Sequence, residues 1–203
     1  MQQEYGKATV KKRRRPLDNS AFILSADDLR KLFAAARRLQ DTVLLELMAY
    51  SGLRRDECVW LATRDVDADR GVLHLRKTKG LRARDVPLLP QVARDVRHLT
   101  EGRHEGYVLL NPQGQRLTPQ AVNYTVAELG KRAGLVHPAD ANKGLNPHLL
   151  RHTFARRYLR EGGSIVSLQK ILGHSSITTT VAIYGSPSMD AVKADYDKAV
   201  KAV

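Results

Sequence analysis

The sequence predicts an α+β domain, mainly helical with one small antiparallel β-sheet, and two observations carry that prediction. Apolar residues recur every three or four positions over most of the chain, between recognisable starts and stops, the repeat that gathers side chains on one face of a helix. The repeat breaks in "VDADRGVLHLRKTKGLRARDVPLLP", where Val72, Leu73 and Leu75 and then Val86 and Leu88 flank turns rich in glycine and lysine. Two or three short antiparallel strands are expected there.

Taken in order, residues 1–20 are polar and hold the run Lys11, Lys12, Arg13, Arg14, Arg15 and Pro16. So little apolar surface reads as a basic arm or an interdomain linker, with the folded domain over 21–203. In "SADDLRKLFAAARRL" Ser25 stands as N-cap with Asp28 three residues on, ahead of Leu29, Leu32, Phe33 and Ala36 at helical spacing. "DTVLLELMAYSG" reads as a more apolar, central helix ended by Gly52, and "RRDECVWLA" as a short third helix. After the strands come "PQVARDVRHLTEG" and "TPQAVNYTVAELGKRAG". In the latter, Thr118 caps, Pro119 takes the first helical position, where its missing N–H costs nothing, and Gly134 stops the helix. "NPHLLRHTFARRYLREGG", "SIVSLQKILG" and "SITTTVAIY" follow, and a last helix is expected over about 188–202, where Met189, Val192, Tyr196, Ala199 and Val203 form one apolar stripe.

At 203 residues the chain suffices for one well-packed domain. Its 34 Lys+Arg against 21 Asp+Glu give a formal charge of +13, a field that concentrates polyanions, and nucleic acid is the first partner to consider. The single cysteine, Cys58, excludes an intramolecular disulfide and a cysteine-rich zinc site and fits a reducing compartment, so a cytoplasmic protein is expected. No apolar run approaches the ~18 residues of a membrane span, and the opening "MQQEYGKATVKKRRRPL" has no stretch to act as a signal peptide.

The chemistry is concentrated near the end, where His148, Arg151, His174 and Tyr184 fall within 37 positions. His148 and Arg151 lie three apart, so a helix opened by Pro147 projects both from one face of its first turn. Imidazole can give or take a proton near neutral pH, and a guanidinium is a permanent planar fork of donors. A phenol with a free pKa of about 10 needs nearby cations and a proton acceptor to act as a nucleophile. Gly173 is placed to cap "SIVSLQKILG" and hold His174 on a tight turn. A metal site built from His148, His152 and His174 is disfavoured, because the surrounding arginines would repel a cation.

A stretch of "SGLRRDECVWL" resembles the first signature box of the tyrosine recombinases (phage-integrase family), and "HLLRHTFA" with "ILGHSSITTTVAIY" resembles the second, over about residues 21–185. The resemblance implies the catalytic domain of a site-specific DNA recombinase or integrase, working through a 3′-phosphotyrosyl intermediate. In that register Arg54, rather than neighbouring Arg55, pairs with Arg151 to grip the scissile phosphate. His148 and His174 serve as hydrogen-bonding or proton-transferring groups and Tyr184 as the nucleophile. Lys79, or alternatively Lys77, protonates the leaving 5′-oxygen, and Glu57 orients a catalytic cation. His152 reads as a packing residue.

No metal or nucleotide cofactor is implied, since protein cations carry the charge stabilisation. The implied partners are double-stranded DNA and other protomers of the same chain in a tetrameric synapse, with accessory DNA-bending proteins as further candidates and no membrane. Two other readings stay open from the residues: type IB topoisomerase-like relaxation, and a catalytically silent DNA-binding regulator. His174 and Tyr184 stand ten apart, where the commonest family spacing is nine, and Tyr196 is the other tyrosine to weigh. Such proteins commonly carry an N-terminal helical DNA clamp, so the chain reads either as an excised catalytic domain or as a compact form like the fimbrial-switch recombinases. Their terminal segment often docks on a neighbouring subunit, and the same is expected of residues 189–203 here.

Overall fold

The computed structural model describes residues 23–76, 83–185, 189, 192–193 and 196–197. Helix α1 (Ala26–Ala35) begins at the expected capping box: Ser25 Oγ accepts from the Asp28 amide and Asp28 Oδ2 from the Ser25 amide, both at 3.0 Å. It ends one residue before Ala36, which turns to extended backbone. Helix α2 (Leu39–Ala49) starts two residues ahead of the expected stretch, after the N-cap Arg38, whose guanidinium reaches Asp41 at 2.8 and 3.0 Å. Val43 to Ala49 are all buried, which explains why this helix lacks a polar face: it is wrapped by α4 (Pro90–Leu99) on one side and α6 (Pro147–Arg160) on another.

Gly52 then adopts φ +66°, and a Cβ there would lie 2.5 Å from the Phe154 ring, so glycine serves both the turn and the packing. The turn delivers Arg54 to the N-cap of α3 (Arg55–Trp60). A 3-10 turn at Thr63–Asp65 leads to strands β1 (Val66–Asp67), β2 (Val72–Leu75) and β3 (Arg84–Pro87), paired antiparallel in the order β1-β2-β3 with Leu73 opposite Val86. Helix α5 (Pro119–Arg132) starts as anticipated on its Thr118 cap with Pro119 first, and α6 opens at Pro147 as anticipated, on an Asn146 cap. Helix α7 (Ile165–Leu172) is capped by Gly173, φ +66°, and α8 (Ile177–Tyr184) follows after a four-residue link that ends on its cap, Ser176.

Among the described residues two clusters of buried side chains result. The large one centres on α2 and draws in α1, the strands, α4, α5 and the start of α6. The small one holds Ala155, Leu168, Leu172 and Tyr184, flanked by Phe154, Tyr158 and Leu159. The expected basic arm over 1–20 and the turn bearing Lys77 and Lys79 lie outside the described residues. Of the expected C-terminal helix, Met189, Val192, Lys193, Tyr196 and Asp197 are described; all five are helical, with Met189, Val192 and Tyr196 exposed. Among the described residues no helix is long and apolar enough to cross a membrane.

Candidate active site

The last carbonyls of a helix have no partner within it and carry its negative dipole end. At the end of α7 arginines claim them. Arg54 Nη1 donates to the Leu172 carbonyl at 2.9 Å, Arg151 Nη2 to the same oxygen at 2.8 Å, and Arg84 Nε to the Ile171 carbonyl at 2.6 Å. Arg151 Nη1 also donates to the Gly52 carbonyl, tying α6 to the turn before α3. Three guanidinium groups thus converge from three distant parts of the chain.

Glu57 is their shared counter-charge. Arg84 donates to both carboxylate oxygens, at 2.7 and 2.9 Å, while the Arg54 backbone amide and Nη1 donate at 2.7 and 3.2 Å. Burial alone would raise the Glu57 pKa, but the Arg84 hydrogen bonds and charge, the Arg54 amide and the Arg151 charge together hold it below the usual carboxylate range. Burial and then the Arg54 charge bring Arg151 down to about 10, which still leaves it protonated at neutral pH. One carboxylate against three guanidiniums leaves a surplus of positive charge. Arg54 is the most accessible of the three: its side chain is 25% exposed, against 7% for Arg84 and Arg151. Its Nε and Nη2 have no partner among the described residues.

Gly173 brings the next group in. A Cβ there would approach Arg84 Nη1 to 2.8 Å, so a larger residue would displace the arginine cluster. His174 follows, with Nδ1 2.9 Å from Oγ1 of the fully buried Thr180 on α8. Burial, then the charges of Arg151, Arg54 and Arg84, push its pKa down to about 4, so the imidazole is neutral at pH 7. In the tautomer where Thr180 donates to Nδ1, the ring proton sits on Nε2, which remains a donor.

Tyr184 closes α8 and is buried. Its ring lies parallel to His174, 5° between planes and 6.4 Å between centroids, and 5.2 Å from His152. Burial raises the phenol pKa, while Arg151, Arg156 and Arg54 pull it down. The structure therefore brings Arg54, Glu57, Arg151, His174 and Tyr184 into one neighbourhood. His148 is exposed on the first turn of α6, one turn before Arg151, and makes no side-chain hydrogen bond among the described residues. Lys79 and Lys77 lie outside those residues.

Sequence reasoning passed over Arg84 and Thr180. Strand alternation held the signal for Arg84: it shares a face with Val86, which is fully buried, and an arginine pointing into a core demands a carboxylate. His152, read as packing, is a ring neighbour of Tyr184.

An arginine cluster around one carboxylate, beside a histidine and a buried tyrosine at the end of a short helix, defines the site, and the chain belongs to the phage integrase family, whose model matches residues 23–190. It is 35% identical over 165 residues to the tyrosine recombinase XerC of Pelobacter propionicus, covering 79% of this chain and 52% of the relative. To the tyrosine recombinase XerA of Thermococcus kodakarensis it is 31% identical over 183 residues, covering 87% and 62%. The chain thus spans less than two-thirds of the length of these relatives. The fold is similar to the crystal structure of XerA recombinase, with TM-score 0.71 and 30% identity over 87% of this chain and 64% of that one. It is also similar in fold to the Tn1549 transposon integrase in complex with transposon right end DNA, with TM-score 0.69 and 20% identity over 88% and 66%.

Proposed function

We propose that this domain cleaves and rejoins double-stranded DNA at defined sites by transesterification through Tyr184. The observation that carries the reading is the surplus of guanidinium charge around Glu57, next to Tyr184 and His174. The phenol oxygen attacks phosphorus, a Tyr184–phosphate bond forms on the 3′ side, and the bond to the 5′-oxygen breaks. Lys79, or Lys77, gives that oxygen its proton, and the phenol's own proton passes to a neighbouring acceptor, for which His148 is the candidate. No water is consumed, so a second 5′-hydroxyl can reverse the step on another strand. Arg54 and Arg151 supply donors to the non-bridging oxygens, where charge accumulates in the transition state, and His174 adds its ring N–H.

Glu57 acts by holding the arginines in place rather than by transferring protons. The net charge of +13 supports a polyanion substrate, and the Tn1549 integrase and XerH recombinase structures of similar fold were determined with DNA. Further protomers on paired sites complete the reading, with the exposed Met189, Val192 and Tyr196 docking on a neighbour. The test is covalent trapping on a nicked suicide duplex. Tyr184→Phe, which lacks one oxygen, loses the adduct and keeps its DNA affinity; an adduct that persists in this variant places the nucleophile elsewhere, with Tyr196 next in line.

A further inference from the structure

Helix α8 is a weak helix by its own chemistry. Six of its eight residues are β-branched, Ile177, Thr178, Thr179, Thr180, Val181 and Ile183, which lose side-chain freedom in a helix. Eight residues fall short of the ~12–15 that an isolated helix needs even with a favourable sequence. Its last turn carries no basic residue to meet the dipole, and the final carbonyls have no partner within the helix.

A side chain from α6 fills that role. Arg156 Nη1 donates to the Tyr184 carbonyl at 3.0 Å and Nη2 to the Ile183 carbonyl at 3.3 Å, with the guanidinium carbon 5.8 Å from the centre of the Tyr184 ring. We infer that Arg156 is a positioning residue for Tyr184: its fork latches the tyrosine-bearing end of α8 onto the helix that also carries Arg151. The same rigid element then fixes both the phosphate grip and the nucleophile, five residues apart on α6. This rests on the transesterification reading above. A lysine in its place could satisfy one carbonyl but not the pair.

The latch also sets local charge, because the phenol is faced by Arg151, His152 and Arg156 from α6, His174 from the turn after α7, and Arg54 ahead of α3. Arg156 is the arginine of that set with no place in gripping phosphate. Two readouts on the full chain test it: hydrogen exchange of the amides from Val181 to Gly185, and the pH dependence of single-turnover adduct formation on a nicked duplex. In Arg156→Gln those amides exchange faster while α2 is unchanged, and duplex affinity is kept. Cleavage falls by about 10²-fold, the cost typical of a small misplacement of a reacting group, and its rise with pH moves upward. Arg156→Lys restores the position of the pH profile but only part of the rate. Unchanged exchange in Arg156→Gln overturns the latch whatever the cleavage rate, and a slower rate with an unmoved pH profile reduces it to a fold contact. A wild type that forms no adduct refutes the transesterification reading instead, and exchange then decides the latch alone.

Discussion

The arginine cluster and the tyrosine helix meet at one site but are built to different standards. Arg54, Glu57 and Arg84 hang on elements rooted in the large core, where Leu44, Leu45, Leu47, Met48 and Leu53 are essentially inaccessible. Tyr184 sits in a cluster of four buried residues on a helix of eight, linked to α6 by Arg156 and to the preceding turn by the His174–Thr180 contact. Donors that stabilise a transition state work best when fixed beforehand, because reorganising them costs part of what they contribute. A nucleophile on a lightly packed element opens and closes at lower cost than the core around α2. In the proposed reaction the arginine grip is therefore the permanent part of the site and Tyr184 the adjustable one.

The comparison breaks first at Arg84. Removing it leaves Glu57 buried with its strongest partner gone, and loss of one member of a buried pair costs about 3–5 kcal/mol. Arg84→Ala should therefore lower the denaturant midpoint of the whole domain, and Glu57→Gln in the same background should recover part of it. A midpoint unchanged in Arg84→Ala would show that the cluster is not rooted in the core. Next in size, Arg54→Ala or Arg151→Ala should slow cleavage by about 10²-fold or more, since one transition-state donor is worth roughly 3 kcal/mol. For the accessible Arg54 this should come without loss of stability, and unimpaired single-turnover rates in both variants would remove the pair from the chemistry.

The smallest effect sharpens the contrast through pH. His174 has a folded pKa of about 4, below the ordinary imidazole value near 6.5, so the unfolded chain binds the proton more readily. Its contribution to stability is complete above the unfolded value and is lost as pH falls through the window down to about 4. His174→Gln should flatten that part of the stability curve, measured by denaturant unfolding at stepped pH; an unaltered slope would mean that burial and the arginines do not hold the imidazole neutral.

Most of the fold was legible because helix ends are local chemistry. Ser25 with Asp28, Thr118 with Pro119, and Gly173 each announce a boundary within a few residues. The start of α2 was not, because Arg38 is no ordinary cap, and its contact with Asp41 becomes visible only in three dimensions. Of the residues that motif order singled out, Arg54, Arg151, His174 and Tyr184 lie in one neighbourhood. Arg84 was passed over because a strand of four residues offers only Val86 to mark its inward face, and Thr180 because a threonine inside a helix reads as filler. Convergence of three arginines on the α7 carbonyls spans separations of 87 and 118 residues for Arg84 and Arg54, beyond the reach of any local pattern.

The most direct test of the account is the identity of the residue that becomes joined to DNA. Protease digestion of the adduct trapped on a nicked duplex, followed by mass mapping of the nucleotide-bearing peptide, should find the phosphodiester on Tyr184, with a free 5′-hydroxyl on the released strand. A link at Tyr196 or any other side chain, or a 5′-phosphate on the released strand, would contradict it.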